Sequence, residues 1–324
     1  MADATVSRSM SMPKAPDGTG TVIKAGGLDL LDLMKGDLLA PATLVSISGI
    51  RELGGIEAGR DGGARIGSTV TLAALASHPH IKSRYGALAD AALSSASPQI
   101  RNVATVGGNL LQRPRCWYFR SSAYDCLRKG GDRCFATHGD NRYHAVFDNH
   151  PCAIVHPSSI ATVLAALGAQ LSIVRADGPP RRVPLDRFLT PPQGELTSEN
   201  QLEPHEILAS VHLPPLARDA RCVYLRTSDK ESFDWPLADV AVCLSRTAGG
   251  RCSSVAIVLG AAAPTPYRAR RAEAMLYDRT VDEAAAAAAA RAAIEDATPL
   301  AGNTYKVPLF ETLVRRAIVA AIRH

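Results

Sequence analysis

The chain has 324 residues, of which 46% are apolar and 21% charged, with 25 glycines and 21 prolines; that is enough for two ordinary domains with buried cores and excludes both disorder and a miniature disulfide scaffold. No apolar run approaches the ~18 residues of a membrane span, and the polar opening lacks the apolar stretch of a secretory signal, so a cytoplasmic protein is expected, exported only if it rides on a partner. Basic residues exceed acidic ones by 36 to 31, a net +5, without the basic stripe and interleaved aromatics of a nucleic-acid binder, so nucleic acid is not an expected partner.

After a polar start over 1–20, read as a flexible terminus, 21–24 reads as a short strand, Ala25-Gly26-Gly27 as a turn and 28–34 as a helix. Apolar stretches at 43–47 and 65–70, followed by a helical pattern at 72–76, indicate an α/β arrangement. Helix resumes at 88–93, and the run from Ser97 to Leu110 repeats the switch from apolar residues to a glycine pair. Residues 113–153 are polar and Arg-rich with no sustained period, too long for an ordinary connection.

From Pro157 a helix runs to Gly168, and stretches at 170–174 and 182–185 flank the turn Ala176-Asp177-Gly178-Pro179 as a hairpin. The Pro/Gln/Glu-rich segment 190–206 reads as a domain boundary, and strands at 222–227, 239–246 and 253–260 follow as a meander. Thr280-Val281-Asp282-Glu283 has the capping-box pattern ahead of an alanine-rich helix to 297, and Pro308 opens a last amphipathic helix. The expected division is a terminus at 1–20, a domain at 21–205 carrying the insert 113–153, and an α+β unit of antiparallel sheet and helices at 206–324.

Two features carry chemistry. The pairs Gly26-Gly27 and Gly107-Gly108 each read as the end of a strand where backbone N–H groups approach an anion, or as ordinary turns; neither spells a GxGxxG or Walker loop. Four cysteines, Cys116, Cys126, Cys134 and Cys152, fall within 37 residues with spacings C-x9-C-x7-C-x17-C, while Cys222, Cys243 and Cys252 read as core filler.

Structural zinc wants a closer pair than these spacings offer. A 4Fe-4S cubane tolerates them, and its negative charge would suit the seven Arg and Lys residues that face two aspartates over 101–133. Disulfides remain the alternative. Trp117, Tyr118, Phe119 and Phe135 either shield such a cluster or simply pack, and His138, His144, His150 and His156 lack the regular spacing of ligands. No nucleophile elbow or paired carboxylates are visible, which favours a protein that holds cofactors.

Three runs of sequence then carry a resemblance: Ala25-Gly26-Gly27-Leu28-Asp29-Leu30, the segment from Gln99 to Leu110, and Gly260-Ala261-Ala262-Ala263-Pro264-Thr265-Pro266-Tyr267-Arg268. Together they resemble the FAD-binding medium subunit of the molybdenum hydroxylase (xanthine dehydrogenase) family, from about residue 20 to the end. The inserted cysteines further resemble the branch whose flavin subunit carries a 4Fe-4S cluster, as in heterotrimeric bacterial aldehyde oxidoreductase, with some likeness to the flavin subunit of 4-hydroxybenzoyl-CoA reductase.

The resemblance implies an α+β fold of two small α/β subdomains (PCMH-like) followed by an antiparallel sheet with helices. It implies FAD held by Lys24, Ala25, Gly26, Gly27, Leu28, Asp29 and Leu30, by Thr105, Gly108 and Asn109, and by Ser158 and Ser159, with Lys230 in a loop over the flavin ring at 229–235. Cys116, Cys126, Cys134 and Cys152 would ligate the cluster, and a molybdenum-cofactor large subunit and a 2Fe-2S small subunit would be the partners. The family carries threonine where this chain has Leu28 and aspartate where it has Ser159. A stand-alone flavin oxidase and a zinc-bound scaffold are the rival readings.

Overall fold

The computed structural model describes residues 20–203, 205–230 and 233–323, so the expected flexible terminus lies, Gly20 apart, outside the described residues. Strands β1 (Thr21–Lys24) and β2 (Thr43–Ser46) run parallel, joined through the helix Leu28–Lys35. A second sheet contains β3 (Ile56–Ala58), β4 (Ala64–Gly67), β5 (Gln170–Val174), β6 (Arg181–Pro184) and β7 (Ile207–Leu213) in the order β3-β4-β7-β5-β6, with antiparallel neighbours. These are the two small α/β units of the N-terminal part.

The expected boundary at 205–206 falls one strand early, because β7 inserts between β4 and β5 at the centre of the N-terminal sheet. Nothing local in the stretch 207–213 reveals that pairing, which joins segments far apart in the chain. The C-terminal sheet is a meander, as expected: β8 (Arg221–Thr227), β9 (Ala238–Arg246), β10 (Cys252–Gly260) and the short β11 (Tyr267–Arg268), in the order β11-β10-β9-β8.

Side chains alternate across a strand, and the C-terminal sheet is buried on both faces. Val240, Val242, Leu244, Ile257 and Leu259 face the helices Arg270–Leu276, Glu283–Ala293 and Lys306–Arg323. Ala241, Ala256 and Val258 join the core around Ile66, Leu88, Ile160 and Val211, packed by the helices Gly86–Leu93 and Ser159–Ala166. Cys222 and Cys243, expected as core filler, stand directly opposite in the β8–β9 register and are joined as a disulfide, whereas Cys252 is free and buried.

Two local expectations shift. Gly107-Gly108 does not end a strand: it lies in the helix Val106–Leu110, where the Thr105 hydroxyl caps the first turn by accepting from the Gly108 N–H at 3.1 Å. The alanine-rich helix is capped by Asp282, not Thr280, and runs only from Glu283 to Ala293. The insert 113–153 contains the short helix Trp117–Arg120 and two 3-10 turns, and its far end joins the C-terminal core, with Phe147 stacked on Tyr267 at 4.0 Å between ring centroids. Among the described residues no helix is long and apolar enough to cross a membrane.

Candidate functional site

A cleft of about 1220 Å³ opens where the first α/β unit meets the helix Val106–Leu110, the segment 195–203 and the loop Phe233, Asp234, Trp235 and Pro236. Lys24, Ala25, Gly26, Gly27, Leu28, Asp29 and Leu30 all line it. The backbone N–H groups from Gly26 to Leu30 take no protein partner among the described residues; the first intrahelical bond is Leu31 N–H to the Gly27 carbonyl at 2.8 Å. Five consecutive free donors at the positive end of a helix form an anion site.

Glycine is required in this turn. Gly27 has φ 80°, and a Cβ on Gly26 would sit 2.1 Å from the Val103 carbonyl oxygen. The Lys24 side chain folds over Gly27 and takes no ion pair among the described residues, adding a cation beside the donor row.

The second glycine pair plays a different part from the one its sequence suggests. Gly107 N–H donates to the Ser68 carbonyl at 2.8 Å and Gly108 N–H to the Thr105 hydroxyl, so this pair supplies room for close packing and keeps its donors internal. Thr105, Gly108 and Asn109 line the cleft. Ser158 does not: it is buried, caps the helix Ser159–Ala166, and donates to the Asn109 side-chain oxygen at 2.5 Å, fixing that carboxamide. Lys230 is exposed and stands outside the cleft lining, because its loop presents Phe233 to Pro236 instead; residues 231 and 232 of that expected loop lie outside the described residues.

Ser159 lines the cleft above a buried polar group that sequence reading did not single out. There the Tyr224 hydroxyl donates to Asp239 at 2.8 Å and the Thr162 hydroxyl at 3.3 Å. Burial raises the Asp239 carboxyl to about 6, against hydrogen bonds from Tyr224, Ser159 and Thr162 that lower it. The signal was available only as an aspartate at the head of the apolar run Val240 to Leu244.

The local basic excess is answered from other parts of the chain. The Asp29 carboxylate accepts from Arg113 N–H (2.8 Å), Arg120 (2.7 Å) and Arg115 (3.0 Å). Glu199, on the opposite cleft wall, pairs with Arg113 and Arg128 at 2.6 Å each. Arg115 also stacks over the Trp235 ring at 4.8 Å.

All four cysteines of the insert, spread over a span of 37 residues, line one small pocket of about 10 Å³. Tyr118, Phe119 and Phe135 wall it, and Cys134 and Cys152 are hydrogen-bonded to each other. His144 Nε2 lies 3.2 Å from Cys116 Sγ, and burial drives its imidazole down to about 4, so it is neutral; the other three histidines of the region do not line the pocket. The buried Arg128 reaches the same pocket, with Nε and one terminal nitrogen lacking any hydrogen-bond partner. Among the described residues no group of three or more His, Cys, Asp or Glu side chains is arranged to hold a metal ion.

A long cleft floored by free backbone donors and flanked by an unpaired ammonium defines a protein that holds an extended, phosphate-bearing cofactor. Residues 5–216 match the model of the FAD binding domain in molybdopterin dehydrogenase, and residues 224–321 match that of the CO dehydrogenase flavoprotein C-terminal domain. The chain belongs to this family, the FAD-binding medium subunits of molybdenum hydroxylases. It is 34% identical over 304 residues to the aldehyde oxidoreductase FAD-binding subunit PaoB of Escherichia coli K12, covering 93% of this chain and 92% of that protein. It is 27% identical over 311 residues to a xanthine dehydrogenase FAD-binding subunit of Escherichia coli O157:H7, covering 94% and 90%. A chain of the solved carbon monoxide dehydrogenase of Hydrogenophaga pseudoflava superposes with a TM-score of 0.70 at 27% identity, covering 95% of both chains.

Proposed function

We propose that this chain is the electron-transferring flavin subunit of a molybdenum hydroxylase of the aldehyde oxidoreductase or xanthine dehydrogenase type, working with a molybdenum-cofactor large subunit and a 2Fe-2S small subunit. The observation that carries the reading is the row of free N–H groups from Gly26 to Leu30 opening into a cleft of about 1220 Å³. FAD bound there would take up reducing equivalents and pass them to an external acceptor.

The chain's own residues do the holding. Gly26 to Leu30 and Lys24 neutralise the pyrophosphate, Asn109, pinned by Ser158, offers its free amide N–H2, and Trp235 and Phe233 cover the cleft mouth. The family match and the aldehyde oxidoreductase relative support this reading.

The cysteine pocket is proposed to hold a 4Fe-4S cluster on Cys116, Cys126, Cys134 and Cys152. Four thiols with no carboxylate among them, an aromatic wall and the unpartnered nitrogens of Arg128 suit an anionic iron–sulfur centre. A zinc scaffold is the weaker reading, since a single ion draws its ligands to one point. Anaerobic isolation with its partners, separation of this chain from the 2Fe-2S subunit, and flavin, iron, sulfide and zinc assays on the separated chain test both. FAD with iron and sulfide in equal amounts is the expected result; a colourless preparation overturns the flavin reading, and zinc without iron overturns the cluster.

A further inference from the structure

We propose that the Arg-rich insert is a clamp on the flavin cleft, so that the folding of the cysteine pocket and the binding of FAD are energetically coupled through two ion networks, a buried one on Glu199 and a partly exposed one on Asp29. The inference rests on the flavin reading above and concerns what holds the cleft open to the right width.

Each wall of the cleft is gripped by the insert, with Arg113 touching both: its backbone N–H bonds Asp29 and its side chain pairs with Glu199. The donor-row helix Leu28–Lys35 is held through Asp29, a residue whose own backbone N–H belongs to the row, by Arg120 at 2.7 Å and Arg115 at 3.0 Å. Arg120 also reaches Asp32 at 3.0 Å and bonds the Pro114 and Arg113 carbonyls, which ties the grip to the insert backbone. The opposite wall, 195–203, is held through Glu199 by Arg128 and Arg113.

Arg128 is the residue that belongs to both sites. It lines the cysteine pocket but not the cleft, its side chain is 1% exposed, and one of its terminal nitrogens bonds Glu199, which does line the cleft. Its position is set by the 3-10 turn that follows Cys126, so whatever orders the cysteines orders Arg128, and through it the wall. Glu199 in turn is anchored by its carbonyl to Thr190 N–H, and Gln201 N–H donates to the Phe188 carbonyl, so the wall segment is attached both to its own domain and to the insert. Coupling of this kind is reciprocal: bound flavin must stabilise the insert by the same factor by which the ordered insert tightens flavin.

The test uses the full chain in its complex, stripped of flavin and retitrated with FAD, with hydrogen–deuterium exchange of peptides from 113–135 measured with and without FAD. In the wild type, FAD slows exchange in the insert. Arg128→Met and Arg120→Met each weaken FAD binding about tenfold and abolish most of that FAD-dependent slowing. Arg128→Lys restores part of both, and Arg271→Met, which breaks exposed ion pairs with Glu295 and Asp296, changes neither. Should Arg128→Met not fold, Arg128→Lys and Glu199→Gln read the same coupling.

A folded Arg128→Met protein with wild-type FAD affinity, or an unchanged exchange response, overturns the clamp while leaving the flavin reading intact. A wild type that takes up no FAD overturns both.

Discussion

At the scale of single residues, the donor row is unforgiving and its neighbours are adjustable. A methyl group on Gly26 meets a backbone carbonyl at 2.1 Å, which cannot rotate away, so Gly26→Ala is expected to lower flavin affinity about tenfold or more in a fluorescence titration, with the fold retained. Leu28 has an unpartnered backbone donor but an apolar side chain that lines the cleft. Leu28→Thr is expected to tighten FAD by about three- to tenfold, the worth of one net hydrogen bond. Asp239 titrates lower in the unfolded chain (3.8) than in the folded one (about 6), so the native state binds the extra proton and stability falls as pH rises across that window. Asp239→Asn should flatten that loss, up to about 3 kcal/mol, in urea melts at pH 4 and pH 7.

At the scale of elements, caps decide where helices begin. The Asp282 carboxylate accepts from Ala285 N–H at 2.7 Å, and the alanine-rich helix starts beside it. Asp282→Ala should cost about 1 kcal/mol of stability and Thr280→Ala much less, a difference that chemical denaturation resolves. Ser158 works in two elements at once, as the cap of Ser159–Ala166 and as the partner of Asn109. The elements themselves were legible wherever period and punctuation agreed: the glycine turn before the first helix, the hairpin β5–β6 and the meander β8–β10 all lie close to where their residues suggest. The second glycine pair was misread because Thr105, which turns Gly107 and Gly108 into a helix start, resembles any strand threonine until its hydroxyl meets the Gly108 N–H.

At the scale of the whole molecule, the insert is the piece that spans everything. It lines its own pocket, grips both walls of the cleft, and sends Val146 and Phe147 into the C-terminal core. Flavin that binds only the folded chain stabilises it by mass action, so at a concentration one hundred times its dissociation constant FAD should raise the unfolding free energy by about 2.7 kcal/mol, with a higher Tm in a thermal melt.

By itself the sequence determined the family, the α+β character, the glycine turn ahead of the first helix and the four cysteines as one group, because each of these is written in contiguous residues or in residue type. It did not reveal that β7 closes the N-terminal sheet, that Cys222 faces Cys243, that Asp239 lies buried under Ser159, or that Lys230 and Ser158 stand back from the cleft. It also placed an unanswered positive charge at the insert, which Asp29 and Glu199 answer from far along the chain. These are facts of distance in space: strand partners and counter-charges are chosen by which surfaces the packed cores bring together, and no local pattern encodes that choice.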